Sequence, residues 1–360
     1  MKKQFLFFIL FLLVFGQVEA QVKADYTFYV GTYTSGESKG IYKYILHENG
    51  LMENAGLAAR SENPSFLTFS KEKQFLLAVN ENEEGKIESF AVTNDTLLFV
   101  SKSQSGGSSP CYVTVNESGY ILTANYDSGT VGLLKMDKSG QLSKLLFVED
   151  HHSKKGLTAH AHSVQFIPNS NRVISVDLGT NELWFSELDT TKQKLIPLNQ
   201  PTLKLSGDPG PRHFVLHPNG KWIYVVNELS NSITLVKHTS EGTFIQGETF
   251  STLPAGYKGK SYCADIHLSK DSRFLYTSNR GFNSIAIFKA NPNDGSIKLI
   301  DNEPVRGDFP RNFALSPDGN YLLVANQKSD NIVAFKRDKT SGLLQYVDEI
   351  DAPVPVYILF

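Results

Sequence analysis

Six stretches of the chain repeat one pattern: a short apolar strand, a polar turn, a second apolar strand, then Asn or Asp. They read NPSFLTFSKEKQFLLAVN from Asn63, SPCYVTVNESGYILTAN from Ser109, HAHSVQFIPNSNRVISVD from His160, GPRHFVLHPNGKWIYVVN from Gly210, YCADIHLSKDSRFLYTSN from Tyr262 and FPRNFALSPDGNYLLVAN from Phe309. The closing residue falls at Asn80, Asn125, Asp177, Asn227, Asn279 and Asn326, at intervals of 45, 52, 50, 52 and 47 residues. One such unit cannot bury both faces of its own sheet. An all-strand repeat of this length therefore packs blade against blade around an axis, as a β-propeller.

The remainder of each repeat supplies two more strands. In the last copy FALS is strand a, YLLVA strand b, IVAFKRD strand c and LLQYVDEI strand d, separated by PDG, NQKSD and KTSG turns. The alternation and the Gly, Asn, Asp and Ser in the gaps are hairpin signals. Two ends stay unmatched. Residues 27–46 read as strands b and c without a strand a, and PVPVYILF at 353–360 reads as a strand a with nothing after it. Pairing Val356–Phe360 with the N-terminal blade closes the ring and removes two open edges. The expected fold is all-β: seven blades of four antiparallel strands, about 48 residues each.

The first 20 residues stand apart. Lys2 and Lys3 precede FLFFILFLLVF and a small-residue exit at Val18-Glu19-Ala20, the pattern of a signal peptide cleaved near Ala20. The apolar run is shorter than the roughly 20 residues that cross a bilayer. The expectation is an exported protein, periplasmic or extracellular, with one propeller domain over residues 21–360, no membrane association after cleavage and a monomeric state. Without Lys2, Lys3 and Glu19 the net charge goes from -2 to -3. That offers no basic field for nucleic acid. Cys111 and Cys263 fall on blades 3 and 6, across the ring, so they are expected as free thiols rather than a disulfide.

Propeller geometry says which residues meet. Strand a lines the channel and strand b runs antiparallel to it, so the start of a and the end of b share one mouth. The a positions are Ser65, Cys111, His162, Arg212, Ala264, Arg311 and Val356; the residues after strand b are Glu81, Tyr126, Leu178, Glu228, Arg280 and Gln327. His162, Arg212, Arg280, Arg311, Glu81 and Glu228 thus converge, with His160 and His213 close by. Arg forks suit carboxylate and phosphate oxygens. An imidazole beside a carboxylate suits proton transfer.

Structural readings of the same residues stay open. The strand-end Asn and Asp read as local turn formers. Arg311 pairs with a carboxylate on a neighbouring blade, and Arg212 with Glu228, 16 residues on. His213 and His217 are expected against the sheets or in solvent, and His151 and His152 on the surface. The NENEEG stretch around Glu81 reads as a solvated hairpin end. His160 and His162, two apart on a strand, share a face and have metal-ligand spacing, but no carboxylate or Cys stands at ligand spacing beside them. No metal and no cofactor are expected. There is no G-x-S-x-G, so direct attack by water is preferred to an acyl-enzyme.

The segments ANYDSGTV, HAHSVQF…SVDLGTNEL, GPRHFVLHPNGKWIYVVNEL, YTSNRGFNSIAIF and FPRNFALSPDGNYLLVANQKSDNIVAF, in this order along the chain, resemble the seven-bladed lactonase family, which includes propeller-type 6-phosphogluconolactonases and is related to carboxymuconate lactonising enzymes. The resemblance covers about residues 25–360 and implies hydrolysis of a sugar-acid lactone, a small-molecule substrate, to the open hydroxy acid. It implies function at His160 or His162, Arg212, Glu228 and Arg280. Within it, His160, His162, Glu228 and Arg280 are the catalytic candidates, with Arg212, Arg311 and Glu81 binding substrate. A cytosolic phosphorylated lactone fits poorly with an export signal. An unphosphorylated aldonolactone, a lactonising cycloisomerase activity, or an exported non-catalytic propeller that binds a small anion or a protein are the alternatives.

Overall fold

The computed structural model describes residues 25–152 and 158–360. The expected leader, residues 1–20, lies outside them. The described residues form seven four-stranded antiparallel sheets arranged as blades. Blade 1 joins the two ends of the chain: Pro355–Leu359 is its strand a, followed by Tyr26–Thr32, Gly40–Leu46 and Met52–Arg60. The closing register pairs Tyr29 with Leu359, Val30 with Ile358 and Gly31 with Tyr357. The strand lies one residue earlier than the sequence pattern placed it, and Phe360 leaves the ladder to pack on Phe28 at 5.3 Å between ring centroids.

The core is divided among the blade interfaces. Seven apolar clusters each bridge two neighbouring blades. Phe28, Val30 and Tyr44 of blade 1, for example, meet Leu323, Ala325 and Ile332 of blade 7. Inner strands are covered on both faces, so Trp222–Asn227 and Tyr321–Asn326 are buried throughout. Outer strands such as Lys194–Lys204 alternate half-buried and exposed residues along much of their length, which is the pattern of a half-buried strand. Gly31 marks the tightest approach at the closure: a Cβ there would lie 2.3 Å from the Pro64 carbonyl oxygen.

The strand-end Asn residues do more than form turns. They have no left-handed backbone; that conformation sits four residues on, at Asn181, Asn231, Asn283 and Asp330. Their amides instead hold the chain that enters the blade. Asn80 Nδ2 donates to the Glu62 carbonyl at 2.8 Å, Asn125 to Ser105, Asn279 to Thr252 and Asn326 to Val305. In these four repeats the amide thus ties the crossover to the inner strands, whereas the Asn227 amide bonds the Ser232 and Thr234 hydroxyls of its own blade.

Candidate active site

At the start of strand a the ladder skips a residue. In blade 5 Pro211 pairs with Asn227 and His213 with Val226, leaving Arg212 outside the register. His162, Cys111, Arg311 and Val356 are skipped in the same way in blades 4, 3, 7 and 1. In blade 6, Ala264 and Asp265 together lie between the pairs Cys263–Asn279 and Ile266–Thr277. A bulge puts an extra residue on one strand and re-aims side chains. The skipped residue and the one after it then face the same way. Arg212 with His213, Arg311 with Asn312 and Val356 with Tyr357 line one void of about 10 Å³ together with Ser65, Phe66 and Cys111.

This corrects the expectation for His213. Strict alternation turns it to the sheet; the bulge turns it into the channel. It is buried and meets Phe66 at 6.1 Å, Tyr112 at 5.5 Å and His162 at 5.3 Å between ring centroids. Phe66, Tyr112 and Tyr357 stack at 4.0–4.1 Å beneath the mouth. Their rings fill the throat, and the void above them holds at most one water. The mouth is therefore a dead-end cup. Larger grooves of about 410 and 570 Å³ lie at the a–b turns of the opposite face and contain none of the ring residues.

One side of the cup is cationic. Glu228 follows strand b of blade 5, with its N–H on the Gly210 carbonyl at 2.7 Å. Arg212 Nε and Arg280 Nη2 both address its Oε2, at 2.9 and 3.0 Å. Among the described residues Oε1 has no hydrogen-bond partner. Burial works to raise the Glu228 pKa, but Arg280 and Arg212 outweigh it and hold the group below the usual glutamate value. Arg212 Nη1 also donates to the Ala264 carbonyl, and Arg280 Nη2 to the Cys263 carbonyl at 2.8 Å. Burial, then Arg212, push Arg280 down to about 10, which leaves it protonated at neutral pH. Further round, Arg311 lies 3.6 Å from Glu81 Oε1 and over the Tyr33 ring at 5.2 Å. Glu81 is part of the cup wall rather than a solvated hairpin end: it accepts from Tyr33 at 2.8 Å and from the Ser65 hydroxyl. Three guanidiniums against two carboxylates leave one net positive charge, 3 − 2 = +1.

The other side carries imidazoles. His160 stacks on Tyr126 at 4.4 Å, and its Nδ1 lies 3.0 Å from the Tyr126 carbonyl. A carbonyl only accepts, so in the neutral ring Nδ1 carries the proton and Nε2 is the lone-pair nitrogen. His162 is buried with Nδ1 3.6 Å from Cys111 Sγ. Burial, then the charges of Arg212, His213 and Arg311, hold its pKa well below the ordinary histidine value. Cys111 and Cys263 are both free and buried, and burial raises both thiols.

His151 is a second correction. It is not on the surface: it is fully buried, stacked on Trp184 at 4.2 Å, with Nδ1 2.9 Å from Asp177 Oδ2. Asp177 occupies the position where five other repeats have Asn. A buried carboxylate there needs donors, and it takes them from His151, the His160 N–H at 2.9 Å and the Thr180 N–H at 2.8 Å. The same carboxylate thus anchors the backbone of His160. His152 is partly exposed, as expected, and His217 packs on Trp222 at 4.8 Å. Tyr33 was missed by the sequence reading although it is the blade 1 counterpart of Glu81 and Glu228, one residue past strand b. Asp265 was missed because blade 6 shows Ala264 at the aligned position.

A family model described as "Lactonase, 7-bladed beta-propeller" matches residues 27–360. This chain is 31% identical over 299 residues to a protein of Bacillus subtilis named 6-phosphogluconolactonase, covering 80% of this chain and 84% of that one. Among solved structures it is similar to a periplasmic gluconolactonase of Pseudomonas aeruginosa, with a TM-score of 0.88 and 30% identity over 93% of this chain and 98% of that one. It is also similar to a putative 6-phosphogluconolactonase of Bacteroides fragilis, with a TM-score of 0.86 and 29% identity over 94% and 98%.

Proposed function

Because this chain belongs to the seven-bladed β-propeller lactonase family, we propose that its cup hydrolyses a sugar-acid lactone to the open hydroxy acid. The observation that carries this reading is the convergence, from separate blades, of three guanidiniums, two carboxylates and a histidine whose Nε2 has no hydrogen-bond partner among the described residues. A ring ester is held in the less stable cis geometry, so the protein needs an activated water, a cationic partner for the carbonyl oxygen and an anchor.

His160 Nε2 takes a proton from water while Nδ1–H stays on the Tyr126 carbonyl. The water oxygen adds to the lactone carbonyl. Arg212 and Arg280 stabilise the oxyanion, held in place by Glu228. The ring C–O bond breaks, and the departing alkoxide recovers the proton from His160. Glu228 Oε1 accepts a hydrogen bond from the water or a substrate hydroxyl. The two guanidiniums that depress its pKa make Glu228 a weak base, so the proton is assigned to His160 Nε2, which the Tyr126 carbonyl orients through Nδ1. His162, neutral and buried, forms the wall behind the water. Arg311 and Glu81 hold the hydroxyl end.

All three guanidiniums are already paired with carboxylates and leave one net charge. That favours a neutral or singly charged lactone over one with a dianionic phosphate. An unphosphorylated aldonolactone also fits export through residues 1–20. The test is a panel of δ- and γ-aldonolactones, with and without 6-phosphate, followed by acid release. Turnover of the unphosphorylated lactones is expected. Failure to hydrolyse any lactone, with aldonates still raising Tm, would leave a binding propeller instead.

A further inference from the structure

Beneath Arg212 lies a buried polar chain that the proposed chemistry does not use. His213 Nε2 is 3.3 Å from Arg212 Nη1, and His213 Nδ1 is 2.8 Å from Asp265 Oδ1. Asp265 also accepts from the Ile266 N–H at 2.9 Å, His267 Nε2 at 2.9 Å and the Asn312 amide at 2.5 Å. Asn312 Oδ1 in turn takes the Ile358 N–H at 2.8 Å, which ties the chain to the ring closure. We propose that His213 and Asp265 are positioning residues: the carboxylate fixes the imidazole tautomer, and the imidazole fixes the Arg212 guanidinium against Glu228.

The hydrogen bonds leave one consistent arrangement. The Asp265 carboxylate is acceptor-only, so His213 Nδ1 carries the proton. Nε2 is then a lone pair, and among the described residues the N–H it receives comes from Arg212, which has no acceptor of its own. The opposite tautomer would set N–H against N–H. A doubly protonated His213 would set a second cation against the guanidinium. Two further observations agree. Burial and then Arg212 push the His213 pKa down to about 4, so the ring stays neutral at working pH. His267, on the far side of Asp265, has a raised pKa. Burial opposes it, but the charge and hydrogen bond of Asp265 and the Phe313 backbone prevail. Asp265 thus favours a proton on His267, on the side away from the cup, while His213 donates to it through Nδ1 and offers Nε2 as a neutral acceptor. Arg212 is gripped at three points: the Ala264 carbonyl, Glu228 and His213. Without the third, Nη1 keeps only the Ala264 carbonyl, and the fork is held by that contact and by Glu228 at Nε, with nothing fixing it from below.

This inference rests on the lactonase reading for its kinetic arm, and a second arm is independent of activity. In the full chain, His213→Phe keeps a ring against Phe66 and Tyr112 but removes the acceptor, and Asp265→Asn permits the other tautomer. Each should lower kcat/KM by roughly 10–100-fold. The two changes together should cost no more than one alone, and neither should cost more in an Arg212→Lys background. Fully additive losses would overturn the proposal. The independent arm is ¹⁵N NMR of histidine-labelled protein near pH 7. His213 should show a protonated Nδ1 and an unprotonated Nε2, and Asp265→Asn should change that signature. A protonated Nε2 in the unmutated protein would overturn the proposal even if no lactone is ever turned over. The expected tautomer would support it in the same circumstance, where the failure would belong to the lactonase reading.

Discussion

The two arcs of the cup are built from the same strand positions and carry opposite chemistry. Blades 3 and 4 contribute His160, His162, Tyr126 and Cys111, two imidazoles, a phenol and a thiol with no permanent charge among them. Blades 5 to 7 contribute Arg212, Arg280 and Arg311, charged throughout. The imidazole arc is fixed through the backbone: a carbonyl holds the His160 ring, and a carboxylate holds its N–H. The guanidinium arc is fixed through side-chain carboxylates. A proton can move on the first arc without disturbing the field, and negative charge can be held on the second without moving a proton. Substitutions should accordingly separate into kcat effects on one arc and mixed or KM effects on the other.

The largest expected effect is on the imidazole arc. His160→Gln keeps an N–H for the Tyr126 carbonyl and removes the basic lone pair. It should lower kcat by about 10²–10⁴-fold with little change in KM, the range for loss of a general base. A kcat within threefold of the unmutated protein would assign the base to Glu228 or His162 instead and erase the division between the arcs. Glu228→Gln comes next. It leaves two guanidiniums facing an amide, so both kcat and KM should suffer, by about 10²-fold in kcat/KM. The pH profile sharpens the comparison. Arg280 is the leading charge that lowers the Glu228 pKa, so Arg280→Gln should move any acid limb due to Glu228 to higher pH. An acid limb that stays put would separate Glu228 from the activity.

How far the sequence foretold this cup depends on whether a residue obeys the repeat. His162, Arg212, Arg311, Glu81, Glu228 and Arg280 were legible because the copies align and the ring positions follow from antiparallel strands. The ring closure was legible because both chain ends were incomplete in complementary ways. His213 and Asp265 were not, because their orientation depends on a bulge, and a bulge inverts the period of two on which strand reading relies. His151 was not, because its burial is set by a partner 26 residues away, Asp177, and not by its polar neighbours. Tyr33 was within reach: aligning Thr32 with the strand-end Asn residues places it beside Glu81. In each miss the decisive contact is between segments, and local pattern carries no record of it.

Arg311 tests the anchor role. Its contacts, Glu81 and the Tyr33 ring, lie on the far side of the cup from Glu228. Arg311→Ala should raise KM by about tenfold and leave kcat within about twofold, because an anchor binds ground and transition states alike. A loss confined to kcat would place Arg311 with the oxyanion instead and merge it with Arg212 and Arg280.

The smallest expected effect compares the two buried histidine–aspartate pairs, one under each arc. His151 beside Asp177 has a raised pKa: burial opposes protonation, but the bonds and charges of Asp177 and Glu149 prevail. His213 beside Asp265 has a lowered one, about 4. The signs for stability are therefore opposite. A group raised in the folded state stabilises fully below its unfolded value, about 6.5, and loses that contribution as pH rises through the folded value. A histidine lowered in the folded state costs nothing above about 6.5 and destabilises as pH falls towards 4, because the unfolded chain takes the proton first. Asp177, itself lowered, contributes above about 3.8 and loses that only as pH falls further. Asp177→Asn removes the carboxylate that raises His151 and leaves His213 untouched. The Tm advantage of the unmutated protein over Asp177→Asn should shrink by roughly 1–3 °C between pH 6.5 and 8.5, measured by calorimetry. In His213→Phe the corresponding difference should change only below pH 6.5. If both differences move in the same pH window, the two pairs carry the same charge state, and the neutral His213 on which the orientation of Arg212 depends is excluded.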